Sequence, residues 1–462
     1  MSSRFRTDDP KRRRQGAPPP REARQPVVTG SVVSGGSSDR QPGARRSLTH
    51  VGGVVETGGD ARRAEMLSRA LQVAGALDAA DGDGGRDGEA ATRAHVHGFH
   101  TYPARLHPDT ASRLVRDFAP PRGRVLDPFC GSGTVLVEGM LAGRSVVGTD
   151  LNPIAVLLAR LKSAPQSEDE AARIMSAARG AAASADARRK ARAGATRRLP
   201  AEDVELFDPH VLLELDSLRA AIEGEPAGVV RDALFAVLAA LLVKVSKKRG
   251  DTATGNQGKR IASGFVSRFF VKKADDLTTR RRDLVALLPK PPPRSEVRID
   301  DAAELRSVPA GSIDAIISSP PYAATYDYLE HHALRLRWLG LDERPLARRE
   351  FGARRSYVRL DPDAANAKWQ GELSAFLRAA RRVVRPGGCV VLVLGDSAIR
   401  APRGGAIALR AEDVVAAAAR DVGLVPLARA SQPRPHFHGP TLSAFRSRAR
   451  HEHALLLGRD RE

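Results

Sequence analysis

Apolar and polar positions fall into three regimes along the chain. Over residues 1–90 no period holds, and Pro, Gly, Ser and Arg dominate, with runs such as Lys11-Arg12-Arg13-Arg14 and Pro18-Pro19-Pro20. Such a segment buries too little apolar surface to offset its ordering entropy, which predicts a disordered tail with one short helix over 61–77. From about residue 95 short apolar runs alternate with helical stretches. Val125-Leu126-Asp127, Ser145–Asp150, 296–299, 313–317 and 389–394 read as strands, and 134–142 and 152–162 as helices. That alternation predicts an α/β fold with a parallel, doubly wound sheet. The runs 424–428 and 453–457 predict an antiparallel pair at one edge. The third regime, 165–294, breaks the alternation. Its pattern is helical over 168–194, 211–222 and 229–247, followed by a Gly-rich loop at 250–264 and a basic amphipathic helix over 265–288. Pro289 and Pro291-Pro292-Pro293 close it. The resulting division is a tail (1–90), a first core part (91–164), a helical insertion (165–294) and a second core part (295–462).

Composition narrows the function. Lys and Arg number 74 against 54 Asp and Glu, a formal charge of +20. Two cysteines, Cys130 and Cys389, exclude a disulfide scaffold and a multi-cysteine zinc module. The longest apolar run, 233–243, is too short to span a bilayer, and the basic N-terminus lacks an apolar signal region, so a cytoplasmic protein with no membrane partner is expected. An excess of Arg alone can follow from a GC-rich genome. The charge is uneven, however: residues 244–290 carry 13 basic and 4 acidic groups, lysines included, and residues 344–359 carry six Arg and one Glu. These two blocks predict a phosphate-binding surface, with Lys244, Lys247, Lys248, Arg249, Lys259, Arg260, Arg354 and Arg355 as its candidates.

Two motifs carry chemistry. In Asp127-Pro128-Phe129-Cys130-Gly131-Ser132-Gly133-Thr134 a strand ends, the chain turns and a helix begins. Gly131 and Gly133 permit a tight turn and let a ligand approach the backbone at a helix N-terminus. Asp150 ends the next strand, where an acid grips the ribose diol of a nucleotide-like cofactor, or else caps the helix that follows. The second motif, Ser319-Pro320-Pro321-Tyr322, follows the apolar strand 313–317. Two prolines stiffen it and leave carbonyl acceptors in fixed geometry, beside a hydroxyl and a ring; this suits an exocyclic amine on a flipped base.

Together the motifs resemble the amino-methyltransferases of nucleic acids. That resemblance covers roughly 95–164 and 295–458 and implies a class I Rossmann-like fold and S-adenosyl-L-methionine (AdoMet) as cofactor. By resemblance, Asp127, Phe129, Gly131 and Gly133 surround the methionine part of AdoMet, with Thr134 and Asn152 in the same set. Asp150 holds the ribose, and Asp301 contacts the adenine, with Asp300 in competition. Phe99-His-Thr-Tyr-Pro-Ala-Arg105 resembles the family's N-terminal cofactor motif, with Tyr102 and Arg105 as contacts. Ser319, Pro320, Pro321 and Tyr322 match the catalytic tetrapeptide. The insertion departs from the family's motif order, since it separates the ribose acid from the adenine acid.

A serine in first place of the tetrapeptide favours cytosine N4 as the target, with adenine N6 second. An RNA enzyme acting on guanine N2 of tRNA is a further alternative, and a non-catalytic nucleic-acid-binding protein a remote one. DNA is the expected partner, and restriction would require a separate endonuclease. Carbon-5 chemistry would need a thiolate, but Cys130 and Cys389 read as packing residues. All five tyrosines, at 102, 322, 326, 328 and 357, point to a base-stacking pocket. Histidines at 95, 97 and 100, at 331 and 332, and at 436 and 438 read as packed or solvated, and no metal is expected.

Overall fold

The alternating apolar runs become a mostly parallel sheet. The computed structural model describes residues 52–72, 87–250, 255–400, 405–435 and 439–459. In chain order the strands are β1 (Glu56–Gly59), β2 (Arg124–Asp127), β3 (Ser145–Asp150), β4 (Ser295–Ile299), β5 (Ile313–Ser318), β6 (Val384–Gly395), β7 (Ser397–Arg400), β8 (Ala406–Leu409), β9 (Val425–Pro433) and β10 (His451–Gly458). Eight of them form one sheet in the order β4-β3-β2-β5-β6-β10-β9-β1, and β7 and β8 pair apart from it. The run from β4 to β6 is parallel. β10 lies antiparallel to both β6 and β9. Chain order reverses between β2 and β5, and ligands of open α/β sheets bind at the carboxyl ends of strands at such a switch. That crevice brings Asp127 and Ser319 to neighbouring strand ends.

Residues 165–294 build a helical layer. Its helices are Glu168–Lys190, Ala201–Leu206, Pro209–Glu223, Val229–Val245 and Phe265–Leu287. Every side chain from Ala233 to Val243 is buried. A helix apolar all round belongs at the centre of a bundle, and this one is packed by its neighbours and by Tyr328–Leu339, which follows the second motif. The insertion therefore shares a core with the half that carries the second motif. Val229–Val245 stops two residues short of the expected end: the Lys247 amide donates to the Leu206 carbonyl instead of within the helix, and the Lys259 ammonium donates to the carbonyls of Val243, Lys244 and Lys248.

Two sequence expectations are corrected. Residues 52–72, assigned to a disordered tail, are part of the fold. β1 pairs with β9, and helix Ala61–Leu71 buries Ala64, Leu67, Ala70 and Leu71. Asp60 caps that helix by accepting from the Arg63 amide. Residues 87–90 open the helix Asp87–Arg93, and the tail expectation over 1–51 and 73–86 lies outside the described residues. The β9–β10 pair exists, but it is not the edge: β10 sits inside the sheet and β1 closes the outer side. Among the described residues no helix is long and apolar enough to cross a membrane. Cys130 is buried and Cys389 half-buried. Burial pushes the Cys130 thiol well up and Cys389 to about 11, so neither offers a thiolate near neutrality.

Candidate active site

β2 delivers Asp127 to the crevice, and the Gly-rich turn follows at once. Gly131 has φ +48° and Gly133 φ +85°, the left-handed region that favours glycine. Space enforces the second: a Cβ on Gly133 would stand 3.0 Å from the Ala159 Cα of helix Pro153–Ser163. The Cys130 amide donates to the Thr149 carbonyl at 3.0 Å and ties the turn to β3. Asp150 then accepts from the Gly131 amide at 3.0 Å and the Asn152 amide at 2.8 Å. The helix cap is Asn152, which accepts from the Ile154 amide, so Asp150 faces the Gly-rich turn. Asn152 also donates to the Tyr102 hydroxyl at 3.3 Å; its amide is engaged within the protein although it stands on the cavity wall.

Tyr102, Asp127, Phe129, Thr134, Asp150 and Asp301 line this cavity. Of the two aspartates expected to compete for the adenine, Asp301 is the one that lines it. Asp300 instead accepts from Asp301 and Ser307 and shapes its own loop. The Arg105 guanidinium donates to the His97 and Thr92 carbonyls and pins the loop that carries Tyr102. Phe351 packs edge-on against Phe129, with centroids 5.1 Å apart, and Arg349 reaches Asp301 at 3.1 Å. Open glycines, two acids and aromatic edges on one wall fit a nucleoside bearing a charged tail. Burial raises Asp127 to about 7, against donation from Ser318 and the Phe129 amide, and Asp150 to about 6, against its two amide donors.

β5 delivers the second motif beside the first. Ser318, its last residue, is fully buried and donates to Asp127 at 2.6 Å. Ser319 and Pro321 stand in the wall shared with a second cavity of about 830 Å³, as do Tyr102, Arg105 and Tyr328. Pro320, Tyr322 and Tyr326 line that second cavity. The Tyr322 ring lies against Gly395, where a Cβ would come within 2.9 Å, and its hydroxyl donates to Glu452 at 3.1 Å. Tyr102 stacks on His332 with centroids 4.9 Å apart, and Tyr328 stacks on both. The tyrosine cluster thus divides: 102, 326 and 328 join one aromatic group, while Tyr357 is buried and donates to Glu372.

The basic candidates have mixed placements. Arg355 pairs with Asp327 and Glu350, and Arg354 with Glu330. Lys247 donates to the Glu205 carbonyl and stands 3.8 Å from Asp208. Lys259 is the helix-end cation described above. Lys244 lies over the Phe269 ring at 5.7 Å. Arg249 and Arg260 are exposed. Arg354 also lines the large cavity, where Arg400, Arg434 and Arg450 join it. Sequence reasoning missed these last three, because their only signal is position after β6 and before β10. It missed Glu350 as well, which accepts from the Tyr328 and Leu329 amides and starts the helix behind the tetrapeptide.

Residues 82–160 match the family described as DNA methylase. The type II methyltransferase M.MvaI of Kocuria varians is 36% identical over 88 residues, which cover 18% of this chain and 19% of that protein. M.MjaII of Methanocaldococcus jannaschii is 35% identical over 68 residues, 15% of this chain and 13% of that protein. M.BsoBI of Geobacillus stearothermophilus is 23% identical over 276 residues, 54% of each chain. The chain thus spans less than two thirds of each relative's length, and the stronger identities fall on short segments. Around the Gly-rich turn, then, the chain is similar to the DNA methylase family and to type II methyltransferases.

Proposed function

We propose that this protein methylates the exocyclic amine of a base in DNA, with cytosine N4 as the target and adenine N6 as the second reading. One observation carries this: Ser319 and Pro321 form the partition between the cavity of the Gly-rich turn and the large arginine-rimmed cavity. When bound, AdoMet supplies an electrophilic methyl carbon. The chain's residues do the rest. Asp150 and Asp301 hold the nucleoside end, and the glycines leave room at the turn. The flipped base enters the larger cavity, whose volume suits a base with its sugar. Its amine donates to the Ser319 hydroxyl and the Pro320 carbonyl. These bonds draw the lone pair out of ring conjugation and aim it through the partition, so that rate comes mainly from proximity and orientation. Arg354, Arg400 and Arg450, with the exposed cations of 244–260, form the proposed phosphate track, while Arg434 is buried against Glu452. A separate endonuclease remains the partner this reading implies.

Full-length protein is incubated with labelled AdoMet and, separately, with DNA and tRNA, and the labelled nucleoside is identified. The expected product is N4-methylcytosine in DNA. Label only in N6-methyladenine sinks the cytosine choice; label only in tRNA sinks the DNA reading.

Asp150 makes cofactor binding pH-dependent. Protonated below about pH 6, it loses acceptor strength toward a ribose diol, and a hydrogen bond to a charged group contributes about 1.5–3 kcal/mol. AdoMet affinity is expected to rise up to about 10-fold from pH 5 to pH 8, measured by calorimetry, and Asp150→Asn should flatten that rise. Stability runs the other way in the cofactor-free protein. Both acids hold protons in the fold that the unfolded chain has released, so stability falls as pH rises from about 4 to about 7.

A further inference from the structure

His95 and His97 occupy a single turn of 3-10 helix, His95–Gly98, just before the Tyr102 loop. Glu138 lies on helix Thr134–Leu141, which begins at the Gly-rich turn. One ligand atom from each of the three residues lies within 4.8 Å of the other two. His97 Nε2 and Glu138 Oε1 are 2.8 Å apart, and the His95 and His97 ring centroids 4.8 Å. We propose that His95, His97 and Glu138 bind a divalent transition metal of the zinc class, which cross-links the Tyr102 loop to the cofactor helix.

Three features support it. His95 adopts φ +28°, a backbone conformation that is costly for a side chain bearing a Cβ and persists where surrounding structure imposes it. Arg280 contributes by donating to the His95 carbonyl at 2.7 Å, and the strained turn aims the imidazole toward Glu138. The Nδ1 atom of His95 is buried with no hydrogen-bond partner among the described residues, a state that calls for an explanation in a folded protein. Finally, the donor set is right: two imidazoles and a carboxylate are the three-ligand zinc pattern, with the fourth position left to solvent on the half-exposed side of His95. Burial favours neutral imidazoles here, pushing His95 down to about 4 and His97 well below its usual range, while raising Glu138. The carboxylate therefore has no charged imidazole to balance it within the cluster.

Cations also face the site, and they set its affinity. Arg105, Lys162, His107 and Arg280 oppose positive charge on the histidines, whereas Asp283 favours it; Arg116 and Ser112 face Glu138. Lys162, fully buried, has its ammonium pushed well below its ordinary range by that burial.

Metal binding is read on the protein alone; only the cross-link's role rests on the proposed function. Tag-free full-length protein should carry close to one zinc per chain by elemental analysis. After metal removal, cobalt(II) should restore one equivalent with the visible absorption of a four-coordinate site. Glu138→Gln keeps a hydrogen bond to His97 but loses the charge, and should weaken cobalt binding at least 10-fold; His95→Ala, at a half-exposed position, should do the same. Failure of zinc, cobalt, nickel and manganese to bind the wild-type chain at one equivalent overturns the site, as does full-strength binding in both variants. Activity without metal binding would remove the metal site and leave the methyltransferase reading standing; metal binding without methyl transfer would do the reverse.

Discussion

Ser319→Ala is expected to lower methyl transfer about 10²- to 10³-fold while AdoMet affinity stays within about threefold. Those are the losses measured when one pre-organised hydrogen-bond partner is removed from a transition state. The split between rate and binding follows from where Ser319 stands. It lies in the partition, whereas Asp150 and the Gly-rich turn line only the smaller cavity. Pro320 and Pro321 stiffen the backbone, and Tyr322, which the Ser319 hydroxyl bonds, keeps its bond to Glu452, so removing one oxygen should leave the loop's path intact. Single-turnover kinetics with saturating AdoMet, alongside calorimetry of AdoMet binding, separate the two effects. Unchanged turnover would take Ser319 out of the reaction. An equal fall in affinity and rate would instead make it a cofactor contact.

The cofactor turn and the tetrapeptide were legible because each is local. A strand, a glycine turn and a helix start lie within a dozen residues, and glycine or proline is demanded by backbone geometry that composition reveals directly. What joins the two motifs was not legible. Ser318 and Asp127 are 191 residues apart and meet only because β2 and β5 are neighbours at the switch point. Glu350 likewise reaches back to Tyr328 from beyond a helix, within an arginine-rich block that reads as a solvated surface. The same block shows why charge counts mislead. Arg355 is neutralised by Asp327 and Glu350, and in the insertion Arg281 is 1% exposed, held by Gln166, Glu170 and the Ala164 carbonyl. Sequence position records the number of cations but not their partners: Lys273 and Arg281 of 244–290 are buried, and the cations rimming the large cavity come from elsewhere.

Removal of residues 1–72 is expected to destabilise the fold severely, whereas removal of 1–51 leaves β1 and its helix in place and should preserve them. Leu67 and Leu71 are fully buried against β9, β10 and helix Pro108–Phe118. Burial of a leucine contributes about 1.5–3 kcal/mol, so the pair alone supplies about 3–6 kcal/mol, against total stabilities of about 5–15 kcal/mol for a domain. Loss of β1 adds unpaired groups along β9. Urea unfolding of the two truncations, with Leu67→Ala as a milder test costing about 2–5 kcal/mol, measures the effect; equal midpoints for the truncations would show that the segment adds nothing. The damage should also reach the catalytic loop. Arg434 donates to the Leu71 carbonyl at 3.3 Å and to Glu452 at 3.0 Å, and Glu452 accepts from Tyr322. Without Leu71 the arginine loses one of its anchors, and the carboxylate that holds the tetrapeptide tyrosine is freed to move. At low urea, where the shorter truncation remains folded, its transfer rate should therefore match the full chain, and any folded fraction of the longer truncation should transfer more slowly per folded molecule.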